Sequence, residues 1–188
     1  SELDEKTRIR LLAHFQSALA THTDHGLEIV FRKGGKIGPN AFALPSGAIV
    51  FTDEMIQIAE RDDELSAVLL HEIGHIVHRH SMRTLIQDSL LGFVLLAMTG
   101  DVAGSSELFL GLPVLLTEMA YSRKFEREAD AYALTAMQDH GIPPVRFASL
   151  MRRIEDQKPG TSDMASEKWV NYLSTHPLTE ERLKEFER

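Results

Sequence analysis

The stretch Val68-Leu69-Leu70-His71-Glu72-Ile73-Gly74-His75-Ile76-Val77 constrains this chain more than any other. It sets His-Glu-x-x-His inside an apolar run, and the apolar spacing predicts a helix from Asp62 or Asp63 to about Met82. At about 100° per residue, His71 and His75 project from one helical face, one turn apart. Two imidazoles so placed reach a single zinc ion at roughly 2.0–2.1 Å. Glu72 lies about 60° from His75, too displaced to be a ligand but near enough to hold a water beside the ion as a general base. The plainer alternatives are a chance match and a pair of core histidines. Glu72, however, sits among Leu69, Leu70, Ile73, Ile76 and Val77, where an uncompensated carboxylate is costly to bury. A metal accounts for that carboxylate and a bare core does not.

On the helical wheel Leu65, Leu69, Ile73 and Ile76 share one arc, and the motif residues take the adjoining one. Little circumference remains for solvent, so this is expected to be the central buried helix. Gly74 in its interior costs roughly 1 kcal/mol relative to alanine, which close approach of a neighbouring backbone would explain. His78 falls within about 20° of His71 on the same wheel, which would carry it near the metal.

A catalytic zinc site needs a third protein ligand and an open fourth position. A histidine six positions after His75 would supply it in one known pattern, but position 81 is Ser81. His80 is one position off, and a straight helix carries it away. A glutamate from another helix is the alternative, and Phe125-Glu126-Arg127-Glu128-Ala129-Asp130 offers one about fifty residues downstream. Glu126 and Asp130 are spaced i, i+4 and share a face. Glu126 is the candidate ligand. Asp130 is the candidate acceptor for the outer ring N–H of a liganding histidine. Ala129 between them permits close helix contact, and Glu128 reads as an exposed partner for a Lys or Arg.

The rest of the chain frames these two helices. Residues 4–21 read as a helix with Ile9, Leu12, Phe15 and Leu19 in one stripe. Leu27–Lys33, Ala41–Leu44 and Ala48–Phe51 read as three short strands in an antiparallel meander, the last two joined by Pro45-Ser46-Gly47. Thr52 before Asp53 and Glu54 is a helix N-cap. The 84–120 region is the most hydrophobic. Its runs Leu90–Met98 and Leu108–Leu116 are far short of the roughly 20 residues that cross a bilayer, and suggest a helical hairpin or flap against the domain, a partner protein or a membrane surface. Helices follow over about 122–140, closed by Gly141, over Val145–Asp156, around Trp169–Leu173 and over Leu178–Arg188.

At 188 residues, 43 % hydrophobic and 26 % charged, the chain suits one domain spanning 1–188. A net charge of −8 argues against nucleic acid as a partner. The absence of cysteine excludes disulfides and thiolate zinc sites. Beginning at Ser1 without an apolar leader, the sequence reads as a processed or trimmed piece.

His71-Glu72-Ile73-Gly74-His75, Arg79-His80-Ser81, Glu126-x-x-Ala129-Asp130, Asn40-Ala41-Phe42-Ala43-Leu44-Pro45 and Thr175-His176-Pro177 with Arg182 come in the order of the M48 family of zinc metallopeptidases, which the chain resembles over residues 40–182. The resemblance implies an α+β, mostly helical, zincin-like fold. It also implies one Zn²⁺ per chain on His71, His75 and Glu126, with Glu72 as base. His176 would then sit at the active site, donating to the developing oxyanion or filling the fourth zinc position, and Arg182 would support it. The implied activity is endopeptidase cleavage of unfolded or misassembled polypeptides, by attack of a water that Glu72 and zinc activate. The substrate would lie as an added strand along Asn40, Ala41, Phe42 and Ala43. The likeness is greatest to soluble periplasmic bacterial proteases, which often carry a C-terminal repeat domain. A zinc-containing chaperone or binding module closed by His176 is the competing reading.

Overall fold

The computed structural model describes residues 1–22, 26–87, 89, 122–157 and 172–188. Most of the 84–120 hairpin and part of the helix expected around Trp169–Leu173 lie outside these residues. The described architecture is mostly helical with one small sheet: α1 (Glu5–Ala20), β1 (Glu28–Arg32), a 3-10 turn (Gly35–Ile37), β2 (Ala41–Ala43), β3 (Ala48–Thr52), α2 (Asp53–Ile58), α3 (Asp62–Val77), α4 (Arg123–Asp139), α5 (Val145–Asp156), α6 (Tyr172–Thr175) and α7 (Glu180–Phe186). Among the described residues no helix is long and apolar enough to cross a membrane.

The sheet departs from the expected meander. Its order is β1-β3-β2, with β1 parallel to β3 and β2 antiparallel to it. The β2–β3 hairpin forms locally, as the turn residues dictate. The connection after β1 then carries the chain past β3, so β1 pairs with the inner strand in the same direction. This leaves β2 at an edge. Asn40 and Leu44 bond to β3 through Thr52 N to Asn40 O at 2.9 Å and Leu44 N to Ala48 O at 2.8 Å. By the alternation of an antiparallel ladder, the main-chain groups of Ala41 and Ala43 face away from β3. Ser81 Oγ donates to Ala43 O at 3.0 Å.

The helix α1 also turns a different face inward. Leu11, Phe15 and Ala18 are buried, an i, i+4, i+7 set, whereas Ile9 and Leu12 are exposed. Phe15 stacks on Phe51 at 5.5 Å between ring centroids, and this contact with β3 fixes the rotation of the helix.

The central helix is α3. Every residue from Glu64 to His75 is buried. It packs most extensively on α4 and also touches α1, α5 and β2. Ser122 caps α4 by accepting from Phe125 N, and Gly141 ends it in the left-handed region at φ 66°. The N-terminal turn of α3 is held by Arg153 of α5, which donates two hydrogen bonds of 3.0 Å to buried Glu64 and one to Ile58 O.

Gly74 explains how closely α3 and α4 approach. A Cβ at this position would lie 3.0 Å from Ala129 Cα and 3.1 Å from Ala129 O. Both are backbone atoms that cannot swing aside. Gly74→Ala would gain about 1 kcal/mol of helix propensity, yet forcing the helices apart costs about 1–3 kcal/mol. The expected result is a net destabilisation of up to about 2 kcal/mol, read from its urea midpoint. A raised midpoint would mean that the two helices separate at little cost.

The helix α3 ends earlier than its pattern suggests. His78 closes it, and Arg79 adopts φ 54°, uncommon for a residue with a side chain. The chain turns there and becomes helical again over residues 80–87.

Candidate active site

The pairing of α3 with α4, together with the α6–α7 segment, brings four donors into one buried pocket: His71, His75, Glu126 and His176. His71 Nε2 lies 3.0 Å from His75 Nε2 and 3.4 Å from His176 Nδ1. Glu126 is 3.5 Å from His71 Nε2 through Oε2, and 3.4 Å from His75 Nε2 through Oε1. His176 Nδ1 is 3.1 Å from Glu126 Oε1. A tetrahedron with bonds of 2.0–2.1 Å has edges of about 3.3–3.4 Å. The donor set therefore has both the chemistry and the spacing to hold one metal ion.

Glu72 stands beside this group without belonging to it. Its Oε1 accepts a 2.9 Å hydrogen bond from Tyr172 OH and lies 3.5 Å from His176 Nε2, while its Oε2 has no hydrogen-bond partner. A fully buried carboxylate oxygen left in this state is uncommon. With no hydrogen bond of its own, this oxygen is open to accept a proton.

Behind the pocket lies a layer of orienting contacts. Asp130 Oδ1 is 3.1 Å from His71 Nδ1. Arg182 grips Asp130 at 2.5 and 2.8 Å, reaches Glu126 Oε2 at 2.9 Å, and donates to Pro177 O at 2.7 Å. One guanidinium thus joins α4 to the loop that carries His176.

Two members of this layer escaped the sequence reading. Tyr172 is fully buried. It stacks on His176 at 4.3 Å, takes its position from a Tyr172 N to Pro39 O bond, and holds Glu72. Its i, i+4 spacing to His176 was the available signal. His80 is the second. The turn at Arg79 brings its ring inside, stacked 4.3 Å from Phe125, with Nδ1 3.0 Å from His75 Nδ1 and Nε2 2.9 Å from Glu128 Oε2. Glu128 does pair with Arg83 and Lys124 at the surface, and it also anchors His80. His78, expected near His71, lies beyond the end of α3, exposed and outside the pocket.

The electrostatics separate the two pocket carboxyls. Burial pushes Glu72 up, against the opposing charges of His176 and His71. Burial pushes Glu126 the same way, but the charge and hydrogen bond of His176 and those of His71 outweigh it and hold Glu126 well below the usual range. Carboxyls pushed apart in this way suit different tasks, the raised one to take protons and the lowered one to stay anionic beside a cation. Burial pulls His71 down, yet its hydrogen bonds to Asp130 and Glu126 raise it to about 9. Burial and the charge of His71 hold His75 well below its normal value. The pocket favours a positive charge at its centre.

A cavity of about 310 Å³ opens beside His75, bordered by Leu44, Pro45, Ile76, Arg79 and Met82. It lies where β2 ends, so Ala41, Phe42 and Ala43 run toward the pocket. Ala41 and Ala43 are buried and Phe42 is half-buried. Asn40, just before them, is buried with no hydrogen-bond partner at Oδ1.

Comparison with known proteins agrees with the geometry. The mitochondrial metalloendopeptidase OMA1 of Saccharomyces cerevisiae is 32 % identical over 154 residues, covering 78 % of this chain and 42 % of that protein. The beta-barrel assembly-enhancing protease of Escherichia coli (strain K12) is 29 % identical over 154 residues, covering 77 % of this chain and 31 % of the relative. The chain therefore spans less than half the length of these relatives. The sequence profile of peptidase family M48 matches residues 6–188, and the chain belongs to that family.

Proposed function

We propose that the chain is a zinc-dependent endopeptidase that hydrolyses peptide bonds of unfolded or misassembled polypeptides. The observation that carries this reading is the buried donor set spaced for one tetrahedral ion, with the unsatisfied Glu72 Oε2 beside it. His71, His75 and Glu126 are the zinc ligands. Bound there, zinc would lower the pKa of water toward about 7 and polarise the scissile carbonyl.

The chain's own residues supply the remainder. Glu72 accepts the proton of the attacking water and returns it to the leaving amine. Tyr172 holds the Glu72 carboxyl at Oε1, leaving Oε2 to face the reaction. Asp130 fixes the His71 tautomer through Nδ1. His80, backed by Glu128, does the same for His75, since second partners of this kind set ligand orientation. Arg182 balances the charges of Glu126 and Asp130. An extended substrate would add as a strand beside Asn40, Ala41, Phe42 and Ala43, a mode that reads backbone more than sequence and fits unfolded chains. Ala41 is fully buried and Ala43 O accepts from Ser81 Oγ, so this pairing requires those groups to be uncovered first. We place the protein in the bacterial periplasm by its resemblance; one relative's name is mitochondrial and the other's concerns beta-barrel assembly.

A second reading has its own observation. His176 Nδ1 stands at the fourth corner of the donor set, so His176 would close the site as a ligand, giving a zinc-containing binding module or a resting protease. Cleavage of labelled casein separates these readings. The wild type should lose activity to a chelator and regain it with zinc. His176→Ala should be several-fold more active if His176 closes the site, and markedly less active if His176 donates to the oxyanion. Zinc-loaded wild type and His176→Ala both failing to cleave would overturn the endopeptidase reading.

A further inference from the structure

A second group of metal-binding side chains lies outside the pocket. His78, His80 and Glu128 each offer one ligand atom, and these atoms lie within 4.8 Å of one another. The turn at Arg79 creates the group. It leaves His78 outside, sends His80 inward, and brings the rings to 5.4 Å at an interplanar angle of 15°. Glu128, one helical turn above Lys124 on α4, meets His80 Nε2 at 2.9 Å. Imidazole, imidazole and carboxylate form a donor set suited to zinc and similar divalent ions.

We propose that His78, His80 and Glu128 form a second, weaker divalent-metal site whose occupation by zinc opposes the function of the pocket. The site is weaker because two cations already compete for Glu128, Arg83 at 3.2 Å and Lys124 at 3.8 Å. Both are exposed enough to swing away when metal enters. The three side chains leave further coordination positions to water.

The opposition follows from where the ring protons must sit, and this part rests on the proposed zinc reading of the pocket. With Nε2 of His75 turned to a metal, its remaining proton is on Nδ1 and donates to His80 Nδ1, 3.0 Å away. That requires the single proton of neutral His80 to be on Nε2, donating to Glu128. A metal on His80 Nε2 displaces this proton, and the neutral ring then carries its proton on Nδ1. Two N–H donors face each other across the His75–His80 contact. The proton has moved from one ring nitrogen to the other with none gained or lost, and an attraction has become a repulsion. Each metal therefore weakens the other by the same factor, for which about 5–150-fold is the usual range.

The test is a zinc titration of the full chain, stripped with a chelator, followed by equilibrium dialysis and by casein cleavage. The wild type should take up one tight and one weaker equivalent, with cleavage falling as the second fills. His78→Ala, changed at an exposed residue outside the pocket, should take up the tight equivalent alone and keep its activity in excess zinc. A wild type that stops at one equivalent in large zinc excess overturns the proposal, as does a His78→Ala protein that still takes up two. A second equivalent that fills without loss of cleavage overturns the opposition between the sites. If the tight equivalent is missing from both proteins while the weaker one appears and vanishes with His78→Ala, the pocket reading falls and the second site stands.

Discussion

Replacing Glu72 with glutamine should leave a folded protein that still takes up zinc and cleaves casein about 10²–10⁴-fold more slowly. Glutamine has the shape of glutamate, and its amide oxygen can still accept from Tyr172 OH, now 2.9 Å from Glu72 Oε1. It lacks only the second carboxylate oxygen, the one without a hydrogen-bond partner. Glu72 is fully buried, and burial raises its carboxyl above the ordinary range, which makes it a better proton acceptor at neutral pH than a solvated glutamate. The substitution removes that proton transfer and little else. Metal content measured beside kcat separates lost chemistry from lost zinc. Full cleavage by a zinc-loaded Glu72→Gln protein would remove Glu72 from the reaction.

The second large effect is expected from Arg182→Met. Arg182 is 7 % exposed and compensates two buried carboxylates, Asp130 and Glu126. Removing one partner of a buried charge pair costs about 3–5 kcal/mol, because the other charge stays behind. In the metal-free protein that is a fall in Tm on the order of 10 °C. Zinc supplies positive charge to the same carboxylates, so the zinc-loaded variant should lose less.

The acid limb gives an independent readout. Burial alone would raise the Asp130 carboxyl, but hydrogen bonds from Arg182 and His71 hold it below its ordinary 3.8. A depressed carboxyl contributes stability that is fully present above its unfolded value and is lost as pH falls through its folded value. Without Arg182 the folded value rises, so the midpoint of acid unfolding should move to higher pH. Circular dichroism measures both shifts. An unchanged acid midpoint with an unchanged Tm would mean that the guanidinium compensates neither carboxylate.

The parts of the site legible in the sequence are those written in local periodicity. His71 and His75 at i, i+4, and Glu126 and Asp130 at the same spacing, each define one helical face without reference to the rest of the fold. The bounds of α4 and α5 follow from Ser122, Gly141 and the prolines between the helices, which act on their own backbone. What was not legible depends on distant partners. The parallel pairing of β1 with β3 is a choice among strand orders that the hairpin turn leaves open. The inward face of α1 is chosen by Phe51, since Ile9, Leu12 and Leu11 are equally apolar. The break at His78–Arg79 has no glycine or proline to mark it; it accompanies the packing of His80 against Phe125 and His75. Tyr172 has its partner Glu72 100 positions away, which no local pattern records.

The contacts that complete the pocket join residues far apart in the chain: Tyr172 meets Glu72 across 100 positions, and His176 meets His71 across 105. A ribosome delivers α3 long before it delivers α6. Until residues 172–182 dock, a growing chain has two histidines and a glutamate on α3 with nothing to orient Glu72 and no Arg182 behind the acids of α4. The ends of so long a loop meet late, because its closure entropy must be overcome before the contacts form. On the proposed reading, the pocket gains its full set of orienting side chains only once α6 and α7 have docked on α3 and α4, so its chemistry is tied to a long-range folding event rather than to the motif helix alone.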